Sequence, residues 1–383
     1  MKKIWLATLM AACAVPAAMA SNVTVSGAVD TFVAVNRMGS EYSTALSSGG
    51  VNASHVGIKG SEDLTPGAQV FFNLDTAIYI DQGSFTGAND GTRLFDREAN
   101  VGIRGTYGSL SFGRQYTPHF LTFLLYDPTG LSIGSSYSGF FMAGPHSTCG
   151  DTGELVRIDN SISYVLPTSF GLTNFFFASL GETKKANGST SSTRGNMYNY
   201  AAKYDAGPFS TMLSYAYSNY AVKDTSTQVM TGDYDVQWLN FSASYDLGFT
   251  KPVLQIEKKW GDKEHGSSSF IMGQIGTSTP VAGGLWMISG TYLHNQTRDD
   301  ADAWSIGTKY NYPISKRTRL FCGIQAIFNE DNAGYAVEAG PDSSLHFNFD
   351  GANMYGVVGG SGYATNYLGK NVQTFFAGIS HEF

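Results

Sequence analysis

The connections along this chain alternate in length, and that alternation restricts the fold more than any single motif does. Read by a period of two and by clusters of Gly, Pro, Asn and Asp, the 383 residues divide into sixteen strand-like segments of about ten residues each. Short turns fall at Gly60–Gly67, Gly105–Gly108, Leu166–Phe170, Asp205–Pro208, Asp246–Gly248, Thr279–Ala282 and Pro313–Lys316. Long polar stretches fall between them, at Met38–Gly49, Asp81–Arg93, Thr117–Gly153, Gly181–Gly195, Ala221–Gly232, Gly261–Gly266, Thr297–Ala301 and Asp331–Gly369. A soluble sandwich has no reason to sort its loops in this way. A barrel that crosses a bilayer does, and an even strand count returns the carboxy terminus to the side of the amino terminus.

The strand faces agree with a membrane barrel. Val23, Val25, Val29, Val33 and Val35 share one face of the first segment, and Asn22, Thr24, Ser26, Asp30 and Asn36 share the other. In the third, Val70, Phe72, Leu74 and Ile78 alternate with Asn73 and Asp75. Apolar outside and polar inside implies a wet lumen. Tyr164, Tyr204, Tyr245 and Tyr310 each stand just before a short turn, where a membrane barrel places an aromatic girdle. The last segment, Asn371–Phe383, sets Phe375, Ala377, Ile379, His381 and Phe383 on one face, making Phe383 a girdle and assembly residue.

Compartment is read from the other terminus. Lys2 and Lys3, an apolar stretch from Ile4 to about Val15, and Ala18-Met19-Ala20 before Ser21 form a secretory signal peptide over residues 1–20, leaving residues 21–383 as one barrel domain. A lipid-attachment reading at Cys13 leaves Ala18-Met19-Ala20 unexplained. Loss of Lys2 and Lys3 leaves 31 acidic against 22 basic residues, a balance of −9 that argues against nucleic acid as a partner. The mature chain has no apolar run of 18 residues, so it has no candidate transmembrane helix. Backbone hydrogen bonding in a bilayer then leaves the closed barrel. Two cysteines remain, Cys149 in a long connection and Cys322 near the start of a strand; whether they pair is left open.

Several stretches resemble a known family. Val56-Gly57-Ile58-Lys59-Gly60-Ser61-Glu62-Asp63-Leu64, Arg93-Leu94-Phe95-Asp96-Arg97-Glu98-Ala99-Asn100-Val101-Gly102 and Phe112-Gly113-Arg114-Gln115-Tyr116-Thr117-Pro118 carry the resemblance, joined by Tyr126-Asp127-Pro128-Thr129-Gly130, Ser315-Lys316-Arg317-Thr318 and Gly378-Ile379-Ser380-His381-Glu382-Phe383. They are similar to the general trimeric porins of Gram-negative outer membranes, most closely those of betaproteobacteria. The resemblance implies an all-β fold, a sixteen-stranded antiparallel transmembrane barrel with an inward-folded third loop. It further implies a homotrimer among outer-membrane lipids that passes small hydrophilic solutes and ions by passive diffusion, without a cofactor. The sequence of the third long connection agrees, because Phe120, Phe123, Leu124, Leu125, Phe140 and Phe141 do not suit a water-facing loop.

In that family, basic wall residues oppose carboxylates on the inward loop across a narrow polar opening. The wall positions match His55, Arg97 and Arg157, with histidine where the family usually has arginine. Alternation turns His55 and Lys59 inward on the second strand, and Arg157, Asp159, Ser161 and Ser163 inward on the sixth. Arg97 shares parity with Ala99, Val101 and Ile103, so alternation points it outward unless a bulge or a place beyond the bilayer turns it in. Arg114 shares parity with Leu110 and Phe112 and needs a partner; the resemblance implies a trimer contact. Asp127, Asp151 and Glu154 are the carboxylates available between Tyr116 and Arg157. With lumenal Asp30, Asp75 and Asp159 in the balance, the sequence assigns no ion preference.

Neither a nucleophile elbow, a His-Glu-x-x-His nor a Cys-x-x-Cys occurs, and the seven histidines are scattered, so the reading is a channel, not an enzyme. Two other readings stay open. One is a substrate-specific channel, for sugars for example, with eighteen strands if His346–Asp350 and Met354–Val358 form an extra barrel hairpin. The other is a closed structural or adhesive barrel.

Overall fold

A computed structural model describes residues 22–85, 93–143, 155–181, 196–223, 230–261, 269–337, 347–349, 352–354 and 368–383. The leader assigned to residues 1–20 lies outside them. In chain order the strands are β1 (Asn22–Met38), β2 (Glu41–Ser48), β3 (His55–Thr65), β4 (Ala68–Ala77), β5 (Glu98–Gly105), β6 (Gly108–Tyr116), β7 (Arg157–Val165), β8 (Leu172–Ser179), β9 (Met197–Ala206), β10 (Phe209–Lys223), β11 (Met230–Tyr245), β12 (Lys251–Trp260), β13 (Phe270–Val281), β14 (Gly284–Asn295), β15 (Ala303–Pro313), β16 (Thr318–Asn329), β17 (Phe347–Phe349), β18 (Ala352–Met354) and β19 (Val372–Glu382). Consecutive strands pair antiparallel, and β19 pairs with both β16 and β1, which closes the sheet. The terminal residue joins that seam: Phe383 N donates to Gly27 O, and Gly27 N donates to Phe383 O.

β2 and β3 lie end to end along β1, with Thr31 opposite Ser48 and Ala28 opposite His55, so together they make one interrupted stave. The closed sheet therefore has sixteen staves. The interruption is seated by Asp30, whose carboxylate accepts from the backbone N–H groups of Gly50, Val51 and Asn52. Residues 38–49, expected as a long loop, are instead mostly strand. Tyr42, Thr44 and Leu46 alternate with less exposed residues and carry the barrel wall on past the break. Of the hairpin foreseen at His346–Asp350 and Met354–Val358, β17 falls in the first segment but pairs with β18, which ends where the second begins; residues 355–358 lie outside the described ones. Among the described residues β17 and β18 pair only with each other and stand outside the sixteen-stave barrel.

Alternation sets which side each residue takes. Val25, Val33, Phe375, Ile379, Leu213, Ile256, Trp286 and Ile306 are exposed on the outer face, while Asn36, Ser214, Gln255, Gln274, Gln325 and Thr374 are buried on the opposite one. Tyr204 and Tyr245 are exposed beside their turns, as a girdle requires. No helix among the described residues is long and apolar enough to cross a membrane.

Candidate functional site

The polar face of the sheet divides into two stretches. The first spans β3 to β7. Asp75 stands at its centre on β4, with Arg97 Nε 2.9 Å from Oδ1 and His55 Nε2 3.9 Å from Oδ2. His55 Nδ1 lies 2.7 Å from the Ala53 carbonyl, which places a proton on that nitrogen. The Tyr116 hydroxyl accepts from Arg97 Nη2 at 3.2 Å and from Arg157 Nη2 at 2.6 Å. The Arg157 guanidinium also covers the Tyr116 ring at 4.5 Å, and that ring stacks on Phe120. Glu98 is within electrostatic reach of Lys59, Arg157, Asp75 and Arg97. Lys59 lies on the same strand face as His55 and is exposed.

Arg97 reaches this cluster because it precedes β5 instead of belonging to it; its N–H bonds the Asp75 carbonyl, and strand parity no longer governs its side chain. On β7 the expectation for Asp159 fails. The pairing shifts between Gly113 and Gln115, and Asn160 takes a φ of 53°. This bulge removes Asp159 from the polar register and gives it to Arg114 Nη1 at 2.9 Å and Arg93 Nη2 at 2.8 Å. Arg114 thus has a carboxylate partner within its own chain, and its Nε also donates to the Asp96 carbonyl.

The second stretch spans β9 to β16 and is covered by the connection after β6, which contains α1 (Pro118–Tyr126) and α2 (Ser138–Ala143). Thr117 caps α1 by accepting from Phe120 N, and Pro118 occupies the first turn, so the helix starts at once on leaving β6. His119 is fully buried. Its N–H donates to Asn199 Oδ1, and its ring nitrogens lie 3.1 Å from Ser214 Oγ and 3.2 Å from Glu257 Oε1. Tyr137 donates to the other oxygen of Glu257. Farther along, Ser136 bonds Ser289 and Thr291, Gly134 N donates to Gln325, Lys309 donates to Ser132, and Ile133 N donates to Gly50 O at the interrupted stave. The approach is close: a Cβ at Gly307 on β15 would sit 2.1 Å from the Gly134 carbonyl oxygen. Phe120, Phe123 and Phe140 are buried in this packing, Leu124 is partly buried, and Leu125 is exposed.

Asp127 ends α1. One carboxylate oxygen accepts from Thr129 N, Thr129 Oγ1 and Leu131 N, and the other from Ser135 Oγ and Gln274 Nε2. It is 5% exposed and organises the connection. Asp151, Glu154 and Cys149 lie outside the described residues; Cys322 is a free, exposed thiol. Sequence reasoning missed Tyr116, Glu98, His119, Glu257, Lys259 and Lys309. Glu257 and Lys259 share parity with Gln255 opposite Leu254 and Ile256, a signal that could have found them. Among the described residues no group of three or more His, Cys, Asp or Glu is placed to hold a metal.

A closed sixteen-stave barrel with an apolar exterior and a charged, polar interior defines an outer-membrane channel. Residues 6–332 match the model of the Gram-negative porin family, and the chain belongs to that family. It is 30% identical to outer membrane porin protein 32 of Delftia acidovorans over 88% of this chain and 93% of that one. It is 27% identical to an outer membrane porin protein of Bordetella pertussis, over 89% of this chain and 99% of that one. The fold superposes on the anion-selective porin from Comamonas acidovorans with a TM-score of 0.75, at 24% identity over 95% of this chain and all of that one. OmpT of Vibrio cholerae superposes at 0.62, with 13% identity over 97% and 100%. The protein is a multi-pass outer-membrane channel for passive diffusion of solutes.

Proposed function

We propose that the protein is a general diffusion pore, assembled as a homotrimer, in which the connection between β6 and β7 folds into the lumen and leaves the β3–β7 wall as the surface that solutes meet. The observation that carries this reading is the Tyr116 hydroxyl, which holds Arg97 and Arg157 together at the start of the connection, on the stretch of polar wall where the charged side chains gather. On that stretch Lys59, Arg97 and Arg157 outnumber Asp75 and Glu98, and Asp127 is engaged within the connection. The excess favours small hydrophilic anions, the preference ascribed to the Comamonas acidovorans porin. Asp151 and Glu154 are the opposing carboxylates in this reading, and His55 adds a polar ring beside Asp75. Arg114, with Arg93 and Asp159, forms a charged patch suited to the subunit junction, and Phe383 closes the seam during assembly. No catalytic role is assigned to the protein.

The test is the zero-current potential across a planar bilayer in a salt gradient. Wild-type channels should favour chloride over potassium, and Arg157→Glu should move the potential toward cation preference. An unchanged potential would remove Arg157 from the path. A pore that opens in steps of three supports the trimer, and saturable block by sugars would favour a substrate-specific channel instead.

A further inference from the structure

The outer face of β12 carries a cation for which the described chain supplies no counter-ion. Lys258 alternates with buried Glu257 and Lys259, so it points outward with Leu254, Ile256 and Trp260, all three exposed. Its neighbours across the adjoining strands are Leu239 on β11 and Ile271 on β13, both exposed and apolar. Among the described residues, the one contact of its ammonium is the Trp260 ring, with Nζ 5.6 Å from the centroid. Two basic side chains elsewhere on the barrel are matched, Lys203 by Asp205 and Arg319 by Glu382, and His294, next in the same row beyond Ile271, bonds Asp302.

A lone ammonium among side chains that face hydrocarbon is costly unless it reaches an anion or water. Lys258 lies two residues before the end of β12, about 7 Å along the strand, so its four-carbon stem reaches the level of Trp260. That end leads to the connection over residues 262–268, on the side of the long connections, which in outer-membrane barrels is extracellular. An indole at the interface with an unmatched ammonium beside it complements a headgroup that carries a phosphate above acyl chains. We propose that Lys258 and Trp260 bind a phosphate of an outer-leaflet lipid headgroup, with the ammonium on the phosphate and the indole against the first methylenes of the acyl chains.

The purified folded channel, incubated in detergent with a diphosphorylated acylated disaccharide or with its dephosphorylated counterpart, provides the test; retained lipid is counted by native mass spectrometry. The wild type should retain the phosphorylated lipid preferentially, and Lys258→Ala should lower that retention about fivefold, the effect of one basic side chain at a membrane surface. Lys258→Arg should keep it, and millimolar inorganic phosphate should not displace the lipid. Equal retention of the two lipids by the wild type, or unchanged retention by a folded Lys258→Ala channel, overturns the proposal. So does displacement by inorganic phosphate, which would mark a free-anion site. Folding is followed by heat-modifiable gel migration; if the alanine variant does not fold, Lys258→Gln and the wild-type preference decide. Pore conductance should be unaltered by Lys258→Ala, so failure here is separable from failure of the pore reading.

Discussion

Along β9 to β16 the polar face is built mostly from neutral groups, Asn199, Ser214, Gln274, Ser289, Thr291 and Gln325, and each meets the connection after β6. Along β3 to β7 it is built from Asp75, Arg97, Arg157, Glu98 and Lys59; Tyr116 joins Arg97 to Arg157, Arg97 pairs with Asp75, and Glu98 lies within electrostatic reach of the other four. Neutral hydrogen bonds can be buried under a packed segment at small desolvation cost, whereas charges lose much more when removed from water. The wall under the connection is therefore mostly amide and hydroxyl, whereas on the β3–β7 wall the charges, with Asp75 and Arg157 each 5% exposed, are kept by pairing with one another. Buried Glu257, Lys259 and Lys309 are charged exceptions, and Glu257 is the instructive one. It is a carboxylate under the covering segment, and it is acceptable there because His119 and Tyr137 both address it.

The comparison breaks most readily at that exception. Glu257→Ala leaves the His119 ring and the Tyr137 hydroxyl buried without their shared acceptor, and should cost about 3 kcal/mol or more. The temperature at which the folded gel band is lost should drop, and single-channel traces should become noisier as the connection loosens. A variant with wild-type stability and quiet current would show that the neutral contacts alone seat the segment.

Tyr116→Phe sharpens the other side. The ring keeps its stack on Phe120 and its place beneath Arg157, but the acceptor joining the two guanidinium groups is lost. A cost of about 2 kcal/mol is expected, the range of hydrogen bonds to charged groups. The zero-current potential should move, because Arg97 and Arg157 lose their common tether on the ionic wall. Glu257→Ala should move that potential less, since its charge lies beneath the connection. If the two variants shift selectivity equally, the division into a neutral and an ionic wall is wrong.

The barrel was legible in the sequence because period two, sorted connections and tyrosines before turns are each repeated along the chain, and repetition averages out local exceptions. The site was legible only in part. His55, Lys59 and Arg157 follow from strand parity, but Arg97 and Asp159 do not, because one lies just outside a strand and the other at a bulge where alternation reverses. The partners of the covering segment were invisible for a different reason. His119 and Glu257 are 138 residues apart, and no local pattern says that they meet. Asp127 carries a family motif, yet its surroundings decide its work: with Thr129, Leu131, Ser135 and Gln274 all donating to it, it holds a fold together.

A carboxylate at the outer edge, away from both walls, calibrates these effects and has the smallest expected one. Asp302, between β14 and β15, is partly buried, which pushes its pKa up. Hydrogen bonds from the Tyr292 hydroxyl, His294 Nδ1 and Asn295 N outweigh that and hold it below the ordinary carboxylate value. Because the folded pKa is the lower one, its stabilisation is complete above the unfolded carboxylate value and is lost as pH falls through the folded value. Asp302→Asn should therefore lower stability by about 0.5–1 kcal/mol near neutral pH, the scale of a rim ion pair, and the gap to wild type should close in acid. Thermal unfolding of both proteins from neutral to strongly acidic pH measures it. Selectivity should be untouched by the substitution at every pH, since Asp302 faces outward; a shifted zero-current potential would mean that charges at the rim set the preference assigned to the ionic wall.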